Sequence, residues 1–211
     1  MLGWLVRRRL AAFERAFDYD VSYWRDIHQA SPRACSCFSK IVKISNYRED
    51  VPREAWYAAK LAAALTEDCG PCTQLVVKMA EREGMSPAAI RAVVLGDEGA
   101  MPPDTALGFR FAQAVLRRDI AESDRLRREI VTRWGKKALV SLALDIASAR
   151  VYPSVKYALG YGHYLHQGEF GGNRSCRSSL KGWRSGSQCA LSSGHRSSSQ
   201  MVQRIATIWL C

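Results

Sequence analysis

Residues 55–96 read AWYAAKLAAALTEDCGPCTQLVVKMAEREGMSPAAIRAVVLG, and the pattern of apolar residues in this segment predicts the fold class. Its first part is apolar on nearly every side, which predicts a buried helix over 54–66. After Cys72, apolar residues recur every three or four positions, as on one face of a second helix that Gly84 ends. A third helix follows over 87–95. Three helices in succession, with no convincing strand pattern anywhere in the chain, predict an all-α fold.

The segment Cys69-Gly70-Pro71-Cys72 places two thiols three positions apart at the expected start of the second helix. Pro71 suits the first turn of a helix, and either Thr66 or Asp68 is expected to cap it. The free N–H groups and the dipole at a helix N-terminus favour a thiolate. We therefore take Cys69 and Cys72 as candidate catalytic residues that form a reversible disulfide.

Two other interpretations of this cysteine pair stay open. The pair is half of a zinc site if Cys35 and Cys37 supply two more ligands, although these two lie two positions apart and so point to different faces of a helix. Alternatively, both thiols are inert small residues of the core.

Residues 55–96 resemble the core of the alkylhydroperoxidase D / carboxymuconolactone decarboxylase superfamily, and the wider resemblance extends to about residue 163. The resemblance implies an orthogonal helical bundle that usually assembles into homo-oligomers. It also implies a dithiol that serves peroxide reduction. Such chemistry needs neither an organic cofactor nor a metal, but a protein or small-molecule thiol must return the electrons.

Two positions depart from the pattern of this superfamily. Its redox branch has a histidine four residues after the second cysteine and a glutamate twelve residues before the first, where this chain has Val76 and Tyr57. Valine does not titrate and tyrosine titrates near pH ~10, so neither moves a proton at neutral pH. We expect weak peroxidase activity, whereas thiol–disulfide exchange needs only the two cysteines.

The order of attack follows from the same departure. By analogy with the superfamily, Cys72 would be the activated thiol. Without the histidine, Cys72 faces Val76, and an apolar setting raises the pKa of a thiol. We expect Cys69 to lie nearer to the helix end and to solvent, which predicts that Cys69 attacks and Cys72 resolves.

The rest of the chain predicts one helical domain over 1–165 and a tail over 166–211. Further helices are expected over 3–17, 20–29, 32–43, 104–118, 124–134 and 136–150. Ser123 is expected to cap the helix over 124–134, Gly135 to end it, and Pro153 to separate one or two final turns.

The tail differs from the domain in composition. Residues 172–200 contain ten serines, and residues 170–211 contain six basic and no acidic residues. This composition predicts either a disordered basic arm or an out-of-frame ending joined to the domain. The tail supplies +6 of the net charge of +11, so we expect no nucleic-acid partner beyond non-specific binding by the tail.

The seven cysteines form no secreted disulfide pattern, and no signal peptide or run of 18 apolar residues is found. We therefore expect a cytoplasmic protein with no membrane partner. The sequence predicts a dithiol oxidoreductase that acts on disulfides or peroxides. The alternative is a non-catalytic structural or small-ligand-binding member of the same superfamily.

Overall fold

The computed structural model of the protein describes residues 2–162, which form eight α-helices, one 3-10 helix and no strand. The predicted all-α class is confirmed. In chain order, the helices are α1 (Leu2–Phe17), α2 (Ser22–Ala30), α3 (Pro32–Ser45), α4 (Arg53–Thr66), α5 (Gly70–Arg82), α6 (Pro87–Leu95), α7 (Pro103–Arg117) and α8 (Ile120–Ala158), with the 3-10 helix Glu98–Ala100 between α6 and α7. The predicted tail over 166–211 and its boundary lie outside the described residues.

Helix α4 is the central element, as its uniformly apolar sequence predicts. Ten of its fourteen residues are buried, and it packs against α5, α6, α7 and α8. The approach of α7 is especially close, because a Cβ atom on Gly108 would overlap the backbone carbonyl of Ala55. Only glycine fits at this crossing, which brings the backbones of α4 and α7 together.

The buried side chains form two apolar clusters, with α5 between them. The first cluster is centred on α4 and includes residues of α6, α7 and α8. The second cluster is rich in aromatic residues and is built mainly from α1, α2 and α3. In α5, Val76 belongs to the first cluster, and Leu75 packs against the second. The helix that carries the cysteine pair therefore lies where the two clusters meet.

Helix α8 differs from the sequence prediction at two of three points. Asp119, not Ser123, caps its start by accepting a hydrogen bond from the Glu122 N–H at 3.1 Å. Gly135 breaks the helical path with a φ of 84°, as predicted. Pro153 does not interrupt the helix, which continues to Ala158.

The packing of Pro153 and of the side chains on either side of it explains why the helix continues. Proline removes one backbone hydrogen bond, but Pro153 itself is buried, and Tyr152 and Val155 on either side of it pack against the second cluster. Tertiary packing thus outweighs the local cost of the proline. As a result, Lys156 is carried into the interior of the fold.

Among the described residues, α8 is also the single helix that is long and apolar enough to cross a membrane. Its most apolar window of 18 residues has a mean hydropathy of 1.2, and 44% of that window is buried inside the fold. Core helices of soluble proteins share these properties, so the observation carries no argument about a membrane.

Candidate functional site

The two cysteines of the Cys-Gly-Pro-Cys segment form a disulfide at the start of α5. Their Cα atoms lie 5.2 Å apart, which is within the range of disulfide-bonded cysteines. Cys69 occupies the N-cap position, and its Sγ accepts a hydrogen bond from the Cys72 N–H at 3.3 Å. The structure therefore brings together both candidate catalytic residues that the sequence predicts.

The residue that caps α5 differs from the prediction. Thr66 Oγ1 donates a hydrogen bond to the Ala62 carbonyl at 2.8 Å, and Asp68 adopts a left-handed conformation with a φ of 49°. Neither side chain is therefore the cap, which is Cys69 itself. The left-handed Asp68 directly precedes Cys69, whose sulfur accepts the N–H of Cys72 in the first turn of the helix.

Cys69 is less exposed to solvent than Cys72, which is the reverse of the order predicted from the sequence. Cys69 is 1% exposed and Cys72 is 7% exposed. The prediction that Cys69 lies nearer to solvent is wrong, because the turn between α4 and α5 directs Cys69 inward. Glu67, in the same turn, forms an ion pair with Arg150 of α8 and so ties the turn to that helix.

Cys72 lines a cavity of about 120 Å³ at the junction of the two apolar clusters, and Cys69 is not among the lining residues. The walls are mostly aromatic and aliphatic. They include Phe17 from the second cluster and Trp56 from the first. The cavity is of the order of the ~150 Å³ apolar cavity that holds a benzene molecule in an engineered protein. An apolar group of about that size therefore fits beside the Cys72 sulfur.

Tyr57 and Val76, at the two positions that depart from the superfamily pattern, line this same cavity. Burial raises the pKa of the Tyr57 hydroxyl, so this side chain is neutral at physiological pH. Val76 is buried and contributes only apolar surface. The three positions to which the resemblance assigns a proton relay thus surround one space, although two of them cannot move a proton.

Lys156 of α8 is the residue near the disulfide that the sequence interpretation missed. Its Nζ lies 3.9 Å from Cys72 Sγ, within reach of an N–H···S hydrogen bond. The same ammonium lies over the rings of Tyr19 and Tyr23, at 4.3 and 4.9 Å from their centroids. Burial lowers the pKa of Lys156 to about 8, and the negative charge of Asp20 partly opposes this fall.

The other buried lysine, Lys60, lines the cavity beside Cys72, whereas Lys156 is not among the lining residues. Lys60 Nζ lies 2.7 Å from Asp145 Oδ1 and donates hydrogen bonds to the Ser45 carbonyl at 2.6 Å and to Ser45 Oγ at 3.2 Å. It also lies over the Trp56 ring, 4.0 Å from the centroid. Burial raises the pKa of Asp145 to about 7, although the Lys60 charge opposes the rise. Lys60 is thus held by a carboxylate and a backbone carbonyl.

The structure does not support the zinc interpretation of the cysteine pair. Cys35 is buried in the second cluster and Cys37 is exposed, as expected for residues on different faces of α3. Both are free thiols. Within residues 2–162, no group of three or more His, Cys, Asp or Glu side chains is placed to hold a metal ion.

Comparisons with known proteins found no match to this chain among protein-family models, curated proteins or solved structures. The resemblance to the alkylhydroperoxidase D superfamily therefore stays a prediction that rests on the residues quoted above.

Proposed function

We propose that the protein is a dithiol oxidoreductase of the alkylhydroperoxidase D-like type, in which Cys69 and Cys72 alternate between dithiol and disulfide. The observation that carries the proposal is a disulfide closed at a helix start, with one of its sulfurs facing an apolar cavity. A helix N-terminus stabilises the thiolate that the reaction needs. An inert pair of core thiols requires neither the bridge nor the cavity.

The order of attack that we propose is the reverse of the one predicted from the sequence. That prediction depended on a greater exposure of Cys69, and Cys72 is the sulfur that lines the cavity. Cys72 thus attacks the substrate and Cys69 resolves the intermediate. Thiol–disulfide exchange is the favoured reaction, because Tyr57 and Val76 cannot supply the proton transfer that peroxide cleavage uses.

The remaining parts of the proposal follow from the same chemistry. The oxidised pair must be returned to the dithiol by a protein or small-molecule thiol, so a reductant is the expected partner. By its resemblance the chain is an orthogonal helical bundle that forms homo-oligomers. A reducing cytoplasm would keep the pair as a dithiol between reactions.

The direct test is a cycle of oxidation and reduction followed by peptide mass analysis. Mild oxidant should remove two hydrogens from the peptide that spans Cys69 and Cys72, and a thiol reductant should restore them. Cys69→Ser serves as the control, because it leaves Cys72 without a partner at the site. Alkylation of both thiols after oxidant treatment would show that the pair is not redox-active.

One observation favours a second function, the binding of a small ligand without catalysis. The indole Nε1 of Trp56, whose side chain lines the cavity, is buried without a hydrogen-bond partner among the described residues. An unpaired buried donor is costly unless a ligand or water accepts its hydrogen bond. Titration of the wild type and of Trp56→Phe with small aromatic acceptors tests this function, since a real site should bind the wild type more tightly.

A further inference from the structure

We propose that Lys156 accepts the proton of the Cys72 thiol and holds the resulting thiolate as an ion pair, a role that rests on the proposed dithiol function. The contact joins Lys156 Nζ to Cys72 Sγ at 3.9 Å. The lysine lies 84 positions from this cysteine in the chain and reaches it from another helix. Lys156 is 5% exposed, so the interaction takes place away from bulk water.

The surroundings of Lys156 leave the sulfur as its natural counter-ion. In the part of the chain that the structure describes, no carboxylate forms a salt bridge with this lysine. Asp20, whose negative charge partly opposes the fall in the pKa of Lys156, is exposed and accepts hydrogen bonds from Ser22. The described contacts of this ammonium are two tyrosine rings and the Cys72 sulfur, and a buried ammonium is stabilised most by a negative charge beside it.

Other charged and titratable groups near the cavity do not compete for this role. Burial raises the pKa values of the neighbouring tyrosines, which are therefore neutral at physiological pH. Lys60 is engaged by Asp145, and Arg82 lies over the Phe17 ring and donates a hydrogen bond to the Ala16 carbonyl. The tyrosines concerned are Tyr19, Tyr23, Tyr57 and Tyr152.

The proposed step balances in atoms and charge. In the reduced protein, the neutral amine form of Lys156, which burial makes accessible by lowering its pKa to about 8, takes the proton of the Cys72 thiol and gives a thiolate and an ammonium. The thiolate attacks one sulfur of an organic disulfide, and the new S–S bond forms as the substrate S–S bond breaks. Lys156 returns the proton to the thiolate that leaves, which departs as a thiol.

The second half of the cycle closes the disulfide seen in the structure. Cys69 attacks Cys72 Sγ in the mixed disulfide, and its own proton leaves with the second substrate thiol. Two protein thiols and one substrate disulfide thus become one protein disulfide and two substrate thiols. The protein pair loses two electrons and the substrate gains them.

The contact has a consequence for the oxidised protein as well. The closed disulfide carries no negative charge, so Lys156 is buried beside a neutral sulfur, and this burial lowers its pKa to about 8. Reduction creates a thiolate beside it and raises the affinity of the amine for a proton. Reduction of the disulfide and protonation of Lys156 therefore favour each other.

The test measures the pH profile of Cys72 alkylation in the reduced, full-length Cys69→Ser protein. This background leaves Cys72 as the one cysteine in the tryptic peptide 61–78, so mass analysis reports on it alone. Adding Lys156→Met should move the midpoint of the profile up by about 1–3 pH units, because a cation at this distance stabilises a thiolate by that amount. Lys156→Arg keeps the charge and should preserve the low midpoint.

Two controls keep the test decisive. Lys136→Met removes an exposed lysine from the same helix and should leave the midpoint unchanged. Cys37, an exposed free thiol of the same chain, is the internal reference. The Cys72 midpoint should lie below that of Cys37 even before Lys156 is changed. This comparison tests the role of Lys156 even if the Lys156→Met variant does not fold.

The possible outcomes separate this inference from the proposed function. A Cys72 midpoint that equals or exceeds that of Cys37, or that Lys156→Met does not move, overturns the role of Lys156. If the oxidation and reduction cycle still succeeds, the dithiol function stands without it. If the cycle itself fails, the proposed dithiol function is contradicted, and with it the role of Lys156.

Discussion

The two buried lysines within residues 2–162 differ in the groups that contact their ammonium ends. Lys60 on α4 meets the carboxylate of Asp145, the Ser45 carbonyl and the Trp56 ring. Lys156 on α8 meets two tyrosine rings and a cysteine sulfur. A buried ion pair is self-contained, whereas a buried amine that lacks a counter-ion responds to any charge that appears beside it. These contacts favour a structural role for Lys60, and they leave Lys156 available for the proton transfer that we propose.

The largest effect on stability is expected from breaking the Lys60 pair. Lys60→Met leaves Asp145 in the core without its cation, which typically costs about 3–5 kcal/mol. Urea unfolding of the oxidised protein measures this loss. The double variant Lys60→Met/Asp145→Leu should recover most of it, because the unpaired carboxylate is removed too. A loss below about 1 kcal/mol in the single variant would show that the pair is not structural.

The same substitution at Lys156 should act in the opposite direction. In the oxidised protein, Lys156→Met removes a buried charge that pairs with no carboxylate within residues 2–162, so the free energy of unfolding at pH 7 should rise by about 1–3 kcal/mol. Urea unfolding again provides the measurement. A decrease of similar size would mean that Lys156 stabilises the fold as Lys60 does.

The burial of Lys156 should also appear in the pH dependence of the free energy of unfolding. The folded protein loses the Lys156 proton above about pH 8, whereas the unfolded chain keeps it until about pH 10.5. The unfolded state therefore binds more protons in this window, and the contribution of Lys156 makes the free energy of unfolding rise with pH across it. Lys156→Met should remove that rise, and Lys136→Met should retain it.

A smaller effect is expected from adding the proton relay that the superfamily pattern contains. Val76→His combined with Tyr57→Glu places both groups on the cavity that holds Cys72. Peroxide reduction should rise about tenfold, short of the 10²–10⁴-fold that a well-positioned acid or base contributes, because neither new side chain has a supporting hydrogen bond.

The control for the added relay is Val77→His, which puts a histidine on the same helix at a residue that does not line the cavity. It should leave the rate unchanged, and disulfide exchange should change little in either variant. Efficient peroxide reduction by the wild type would contradict the view that the relay is missing.

The sequence predicted six helices, α1 to α4, α6 and α7, to within two residues at each end, because periodicity and helix-starting prolines are local signals. It missed the path of α8, where packing on either side of Pro153 outweighs the local effect of the proline. It also reversed the exposure of the two cysteines, which depends on a left-handed turn at Asp68. These features are set by tertiary packing and by a single backbone angle.

The candidate site was predictable only in part for the same reason. Cys69 and Cys72 are three positions apart, so their spacing reveals the pair. Lys156 reaches the sulfur only because α8 continues past Pro153, and no local pattern relates positions 84 apart. An isolated lysine in an apolar helical stretch is a weak signal that becomes informative once its burial is known.

The midpoint potential of the Cys69–Cys72 pair distinguishes a redox-active dithiol from a structural disulfide. Full-length protein equilibrated in buffers of defined thiol and disulfide ratio should show one two-electron transition between about −270 and −120 mV, the range of dithiol redox proteins. Cys69→Ser should abolish it. A potential below about −300 mV, as for structural disulfides, or no reversible transition at all, would contradict the assignment of the pair as a redox centre.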